Sequence, residues 1–88
     1  MSAGKNGASA LVRAALVEAL ALDVSAADLA EDQPLYEHPV SMDSLGFHRV
    51  IVELEVQRGS RFDEAALEAT LFETVGDLIR FVATEPTP

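Results

Sequence analysis

The sequence predicts an all-α fold, a four-helix bundle with a short third helix and a long loop between helices one and two. Apolar residues recur at three- and four-residue spacing in separate stretches, and no strand alternation of useful length occurs. Ala, Leu and Val dominate an apolar fraction of 49%, with only four Phe and one Tyr, a balance that suits close helix packing. Residues with capping side chains, Asp43-Ser44 and Thr74, stand where two of the periodic stretches begin.

With 88 residues the chain has room for one domain and one core. A substrate-enclosing cleft would have to be built from very few elements, so a self-contained enzyme is not expected. The domain is expected over residues 9–84, with a flexible N-terminal tail at 1–8 and a C-terminal tail at 85–88. Residues 1–8 are small and polar, a composition suited to a frayed end.

Over residues 9–22, Leu11, Val12, Ala15, Leu16, Ala19 and Leu20 recur at helical spacing, with Arg13 and Glu18 on other faces. This is the first amphipathic helix. Residues 23–42 contain Pro34, Pro39 and several carboxylates, and read as a long loop pinned by Val24, Leu29, Leu35, Tyr36 and Val40. Ser25 and Asp28 have the spacing to cap one short turn within it. Long loops in small domains are usually functional or disordered, and the apolar anchors argue against disorder.

Asp43-Ser44 opens a second helix that runs to about Arg58, with Val50, Leu54 and Phe47 or Ile51 as its core stripe and Gly59-Ser60 as its stop. A short third helix spans residues 63–69. Thr74 starts the fourth, in which Val75, Leu78, Ile79 and Val82 form the apolar face and Asp77 completes a capping box with Thr74. Pro86 and Pro88 close the chain.

Fifteen acidic residues against six Lys and Arg give a formal net charge of −9, which opposes nucleic acid and anionic membrane surfaces and favours partners with basic patches. No Lys or Arg lies between Arg13 and Arg49, whereas Glu18, Asp23, Asp28, Glu31, Asp32, Glu37 and Asp43 all do. The absence of cysteine excludes disulfides, thiolate metal sites and cysteine nucleophiles, so any thiol chemistry must come from an attached group. With no signal-like or membrane-spanning apolar run, a cytoplasmic location is expected.

The informative residues are Ser41-Met42-Asp43-Ser44-Leu45, at the junction of the long loop and the second helix. Here the sequence resembles the acyl carrier protein family, the free-standing phosphopantetheine-binding carriers, whose hallmark is Asp-Ser-Leu at this junction. The resemblance runs from about Leu11 to Val82. Three residues alone would be a weak match. Their place in a helix, long loop, helix, short helix, helix order, in an acidic chain of carrier size, gives them weight.

The resemblance implies that Ser44 receives a 4′-phosphopantetheine arm from coenzyme A through a phosphodiester, and that the arm's thiol bears cargo as a thioester. It implies that Asp43 helps a phosphopantetheinyl transferase engage, and that the transferase supplies base and metal. The residue chemistry agrees, since a serine at a helix start is exposed and the amides there favour a nearby phosphate. Without that context Asp43-Ser44 would be a plain helix cap, for which one of the two residues suffices.

The chain departs from the family in two places. Ser41 stands where many members have glycine, so the loop must approach Ser44 with a bulkier residue or a different turn. The second helix carries His48, Arg49 and Arg58 beside Glu53 and Glu55, whereas many fatty-acid carriers are heavily acidic there. That difference points to a dedicated pathway.

Other chemistries fit poorly. His38 and His48 have no metal-site spacing with Glu37 or Asp43. Ser44 lacks the first glycine of a nucleophile elbow, and proximity of His38 and Asp43 in sequence makes no triad. Arg58, Arg61 and Lys5 are too dispersed for a nucleic-acid face.

The expected function is therefore an acyl carrier in polyketide or related secondary-metabolite biosynthesis, monomeric and not an enzyme. An aminoacyl or peptidyl carrier is the alternative within the class, and an unmodified helical interaction module the alternative outside it. Expected partners are the phosphopantetheinyl transferase, an acyl- or aminoacyl-loading enzyme and downstream processing enzymes, with no nucleic acid and no membrane. Asp43, Leu45, Met42, Glu37, Arg49 and Glu53 are the candidate partner contacts, with Leu45, Met42 and part of Phe47, Ile51 or Val52 as an exposed apolar rim.

Overall fold

The computed structural model describes residues 4–84, with packing described from residue 7 onward. Its helices are α1 (Gly4–Leu20), α2 (Ser44–Arg58), α3 (Glu64–Ala69) and α4 (Val75–Thr84), with a single 3-10 turn at Ala26–Asp28 in the long loop. The all-α class, the short third helix and the long first connection are as the sequence predicts.

Helix α1 starts earlier than its predicted onset at residue 9. It extends to Gly4, and Ala8, placed by the sequence pattern in a tail, is buried in the core. Ala8, Val12, Ala15 and Leu16 form one continuous stripe, so burial rather than intrinsic propensity extends the helix backward. The helix ends two residues before the predicted limit. Ala21 takes a left-handed φ of +52°, and the Leu22 N–H donates to the Val17 carbonyl at 3.1 Å, the closure of a Schellman ending.

Helix α1 packs against both α2 and α4. Leu16, Val50, Leu54, Leu78 and Ile79 are fully buried between these helices. Each contributes roughly 1.5–3 kcal/mol of transfer free energy. Phe47, Phe72, Phe81 and Phe62 form a ladder with successive ring centroids 5.4, 5.3 and 5.3 Å apart, filling the remaining interior with tilted and edge-on contacts.

Local rules set most boundaries. Asp43 caps α2, and Gly59 closes it at φ +81°, with its N–H donating to Glu55 O. Asp63 caps α3 through Ala66 N–H. Thr74 and Asp77 form the predicted capping box: Asp77 N–H donates to Thr74 Oγ1 at 3.3 Å, and Thr74 N–H donates to Asp77 Oδ2 at 3.0 Å.

The long loop is anchored largely by backbone. Leu35 N–H donates to Glu73 O (2.8 Å), Val75 N–H to Gln33 O (3.0 Å) and Gly76 N–H to Glu31 O (2.8 Å), around an isolated bridge between Pro34 and Thr74. Gly76 permits the approach, because a Cβ there would lie 3.1 Å from Glu31 O. At the other side Arg13 donates from Nε to the Leu29 carbonyl at 2.6 Å and bonds Ser9 Oγ, fastening the 3-10 turn to α1. Leu29, Leu35 and Val40 are buried as predicted and Val24 half-buried. Tyr36, also read as an anchor, is exposed, because the neighbouring Leu35 takes the inward position.

Candidate functional site

The loop reaches Ser44 through a short series of backbone bonds. Val40 and Ser41 both donate to the Glu37 carbonyl, at 3.0 and 2.9 Å, and Met42 N–H donates to Leu35 O at 2.8 Å. Gln33, which the sequence reading passed over, braces this turn with its side-chain amide, donating to Pro34 O at 2.9 Å and His38 O at 3.2 Å. No local pattern reveals that role, since it depends on the loop's path. Ser41 sits at φ +47°. The turn at this position is thus the left-handed one glycine favours, adopted here by a serine.

Met42 is a correction. It was expected in an exposed rim, but only 4% of its surface is accessible. The bond to Leu35 fixes its backbone, and the side chain lies under the first turn of α2, where its Cγ is 3.4 Å from the position a Cβ on Gly46 would occupy. An unbranched thioether fills that irregular space well.

Asp43 and Ser44 divide the helix start between them. The Asp43 carboxylate accepts the Gly46 N–H at 2.7 Å, and its carbonyl accepts the first intrahelical bond from Phe47 at 2.7 Å. Ser44 is the first helical residue, exposed, and among the described residues its hydroxyl takes no hydrogen bond. The first-turn amides point out of the helix start beside it, giving this end partial positive character.

Leu45 is 60% exposed, as expected of a rim residue. Val52 and Val56 are also exposed, at 42% and 72%. At 3.6 residues per turn these three lie within about 40° of one another on the side of α2 opposite its buried Val50, Ile51 and Leu54. Phe47 is half-buried and Ile51 buried, so the rim is drawn from Leu45 and Val52, with Val56 added. The period-3.5 recurrence of Leu45, Val52 and Val56 was legible, but the same spacing equally describes a core stripe.

Arg49 is exposed between Leu45 and Val52, and Glu53 is half-exposed with Oε2 accepting from Gln57 Nε2 at 2.6 Å. Ala19, His48, Arg49, Val52 and Glu53 line a shallow groove. Glu37 is exposed in the loop, as are Asp23, Asp28, Glu31 and Asp32, while the first half of α2 carries His48 and Arg49.

Among the described residues no three His, Asp or Glu side chains come together as metal ligands, and no helix is long and apolar enough to cross a membrane. A family model described as "Phosphopantetheine attachment site" matches residues 10–82. No curated protein matches the chain significantly.

Proposed function

The chain belongs to the phosphopantetheine attachment site family, and from that membership we propose that Ser44 is the residue esterified by the arm and that the cargo is an acyl group. Members of this family are carriers, not enzymes, and hold 4′-phosphopantetheine covalently. When attached, the arm supplies a terminal thiol that bears the cargo as a thioester. The observation that carries the Ser44 assignment is the division of labour at the start of α2. Asp43 performs the capping, so the Ser44 hydroxyl is neither needed for stability nor occupied by a neighbour.

The residues fit a phosphodiester. Ser44 stands on a 15-residue helix, and the N–H groups of Ser44 and Leu45 face an attached anion from the first turn. Asp43 keeps the helix start rigid through Gly46, which holds the serine in one orientation for a transferase. Glu37 and the other loop carboxylates attract a partner with a basic approach surface, and Leu45 supplies an apolar contact next to the attachment point.

The finer reading is an acyl carrier of polyketide or related secondary-metabolite biosynthesis. It is supported by exposed Leu45, Arg49 and Val52 with half-exposed Glu53, a mixed apolar and two-signed face that suits dedicated partners rather than one purely basic docking groove.

The decisive experiment is intact mass after incubation with coenzyme A, magnesium and a broad-specificity phosphopantetheinyl transferase. The parent is expected to gain one phosphopantetheine and the Ser44→Ala variant none. A modified alanine variant would overturn the site, and an unmodified but folded parent would overturn the assignment of this chain as a loadable carrier.

A further inference from the structure

Gln33 is bonded through both its backbone and its side chain. Its carbonyl accepts the Val75 N–H at 3.0 Å, which ties it to the first residue of α4, itself buried in the core. Its side-chain amide reaches the turn that precedes α2, donating to the Pro34 carbonyl at 2.9 Å and the His38 carbonyl at 3.2 Å, with the Glu37 carbonyl 3.5 Å away. A primary amide has two N–H groups, so the turn engages both.

The braced turn leads to the attachment serine. The Glu37 carbonyl accepts the Val40 and Ser41 N–H groups at 3.0 and 2.9 Å, and the next carbonyl, that of His38, is held by Gln33. Two successive carbonyls are thus fixed, one by the turn's own amides and the other from outside it. Ser41 follows at φ +47°, a conformation that a serine keeps only where surrounding bonds hold it. Ser44 lies three positions on, at the start of the helix this turn feeds, so slack at Ser41 passes to the first turn of α2. Gln33 is half-buried, and among the described residues none of its bonds involves Asp43 or Ser44.

We propose that Gln33 is a positioning residue for arm transfer. By holding the Pro34 and His38 carbonyls it keeps the turn in the one geometry that presents the Ser44 hydroxyl to the transferase. In that step Ser44 Oγ gives its proton to the transferase's base and bonds to the phosphorus that bears pantetheine. The pyrophosphate P–O bond of coenzyme A breaks, and its electron pair leaves with adenosine bisphosphate. Attack of this kind is sensitive to small displacements of the nucleophile, which is why a brace outside the motif matters. The role rests on the function proposed above.

The test uses the full chain with Gln33→Met, which keeps the length and loses the donors, and Gln33→Glu, which keeps the shape and sets an acceptor oxygen against the carbonyls. The charge added by glutamate would by itself attract a basic partner, so slower transfer in both variants separates the lost donor from the charge. Arm transfer from coenzyme A is followed by intact mass over a range of carrier concentrations, at a temperature where each variant is folded. In both variants kcat is expected to fall about tenfold with KM within about twofold of the parent. Amide exchange at Val40 and Ser41 is expected to quicken while that at Val50 and Ile79 stays as in the parent. A parental kcat in either variant would overturn the proposal, and so would a raised KM at parental kcat, which would make Gln33 a contact of the transferase. Unchanged exchange at Val40 and Ser41, or faster exchange throughout the core, would overturn it as well. A parent that accepts no arm would remove the carrier reading, and this role with it, whereas a parent loaded no faster than its variants would remove this role alone.

Discussion

The Asp43 carboxylate holds the Gly46 amide at 2.7 Å, and a Cβ on Gly46 would stand 3.1 Å from that same oxygen. Glycine three residues after the aspartate therefore leaves space for the cap as well as for Leu20 of α1, whose Cδ2 would lie 2.9 Å from such a Cβ. The start of α2 is thereby fixed by Asp43 and Gly46, with Ser44 between them free of structural duty.

The two residues of the motif should separate by stability. Asp43→Ala is expected to cost about 1 kcal/mol, the usual loss of an aspartate cap, whereas Ser44→Ala should change unfolding free energy by only a few tenths. Urea melts of both variants measure this. The reverse order would make Ser44 the cap and remove the main support for its availability.

Ser41 holds a left-handed conformation that costs a non-glycine residue about 1–2 kcal/mol. Ser41→Gly relieves this but adds freedom to the unfolded chain, so a net stabilisation of up to about 1 kcal/mol is expected. Ala21→Gly, at φ +52°, should move in the same direction. A lower urea midpoint for both variants would contradict the assigned turns.

Gly76→Ala should destabilise the protein by about 1 kcal/mol or more, although alanine is the better helix former by a similar amount. The added Cβ meets Glu31 O at 3.1 Å and Arg80 Nη1 at 3.3 Å, and the first is backbone held by the Gly76 N–H bond. Faster amide exchange at Leu35 and Val75 should accompany the loss, since their bonds join the loop to the start of α4. Unchanged exchange would mean that the loop shifts without cost.

Asp77 links α4 stability to pH. Partial desolvation opposes its charge, but hydrogen bonds from the Glu73 and Thr74 amides, together with Arg80, outweigh it and hold the carboxyl below its ordinary value. A folded-state value below the unfolded one contributes stability above the unfolded value, and this is lost as pH falls through the folded one. The stability gap between parent and Asp77→Asn is therefore expected to be full at pH 7 and to shrink below about pH 4. A gap that is unchanged at pH 2 would show that the charge of Asp77 contributes nothing.

Features decided within one helical turn were legible in the sequence. The limits of α2 at Ser44 and Arg58, the Gly59 stop, the start of α3 near Asp63 and the Thr74–Asp77 box all follow from residues that act on backbone groups a few positions away. The position of Ser44 at a helix start belongs to this class, while its reading as the candidate attachment site came from the resemblance of Asp43-Ser44-Leu45 to the carrier family.

What only the tertiary structure decided involves partners far apart in the chain. Met42 is buried because Leu35 orients its backbone and the glycine at 46 makes room, while Ala8 is helical because it completes a stripe against the core. Val56 is exposed because the opposite side of α2 already supplies Val50, Ile51 and Leu54 to the interior. The loop takes one path because backbone groups of residues 31–35 pair with those of residues 73–76. Periodicity reports that a side chain is apolar and which neighbours share its face, but whether that face meets protein or water depends on where the other helices lie.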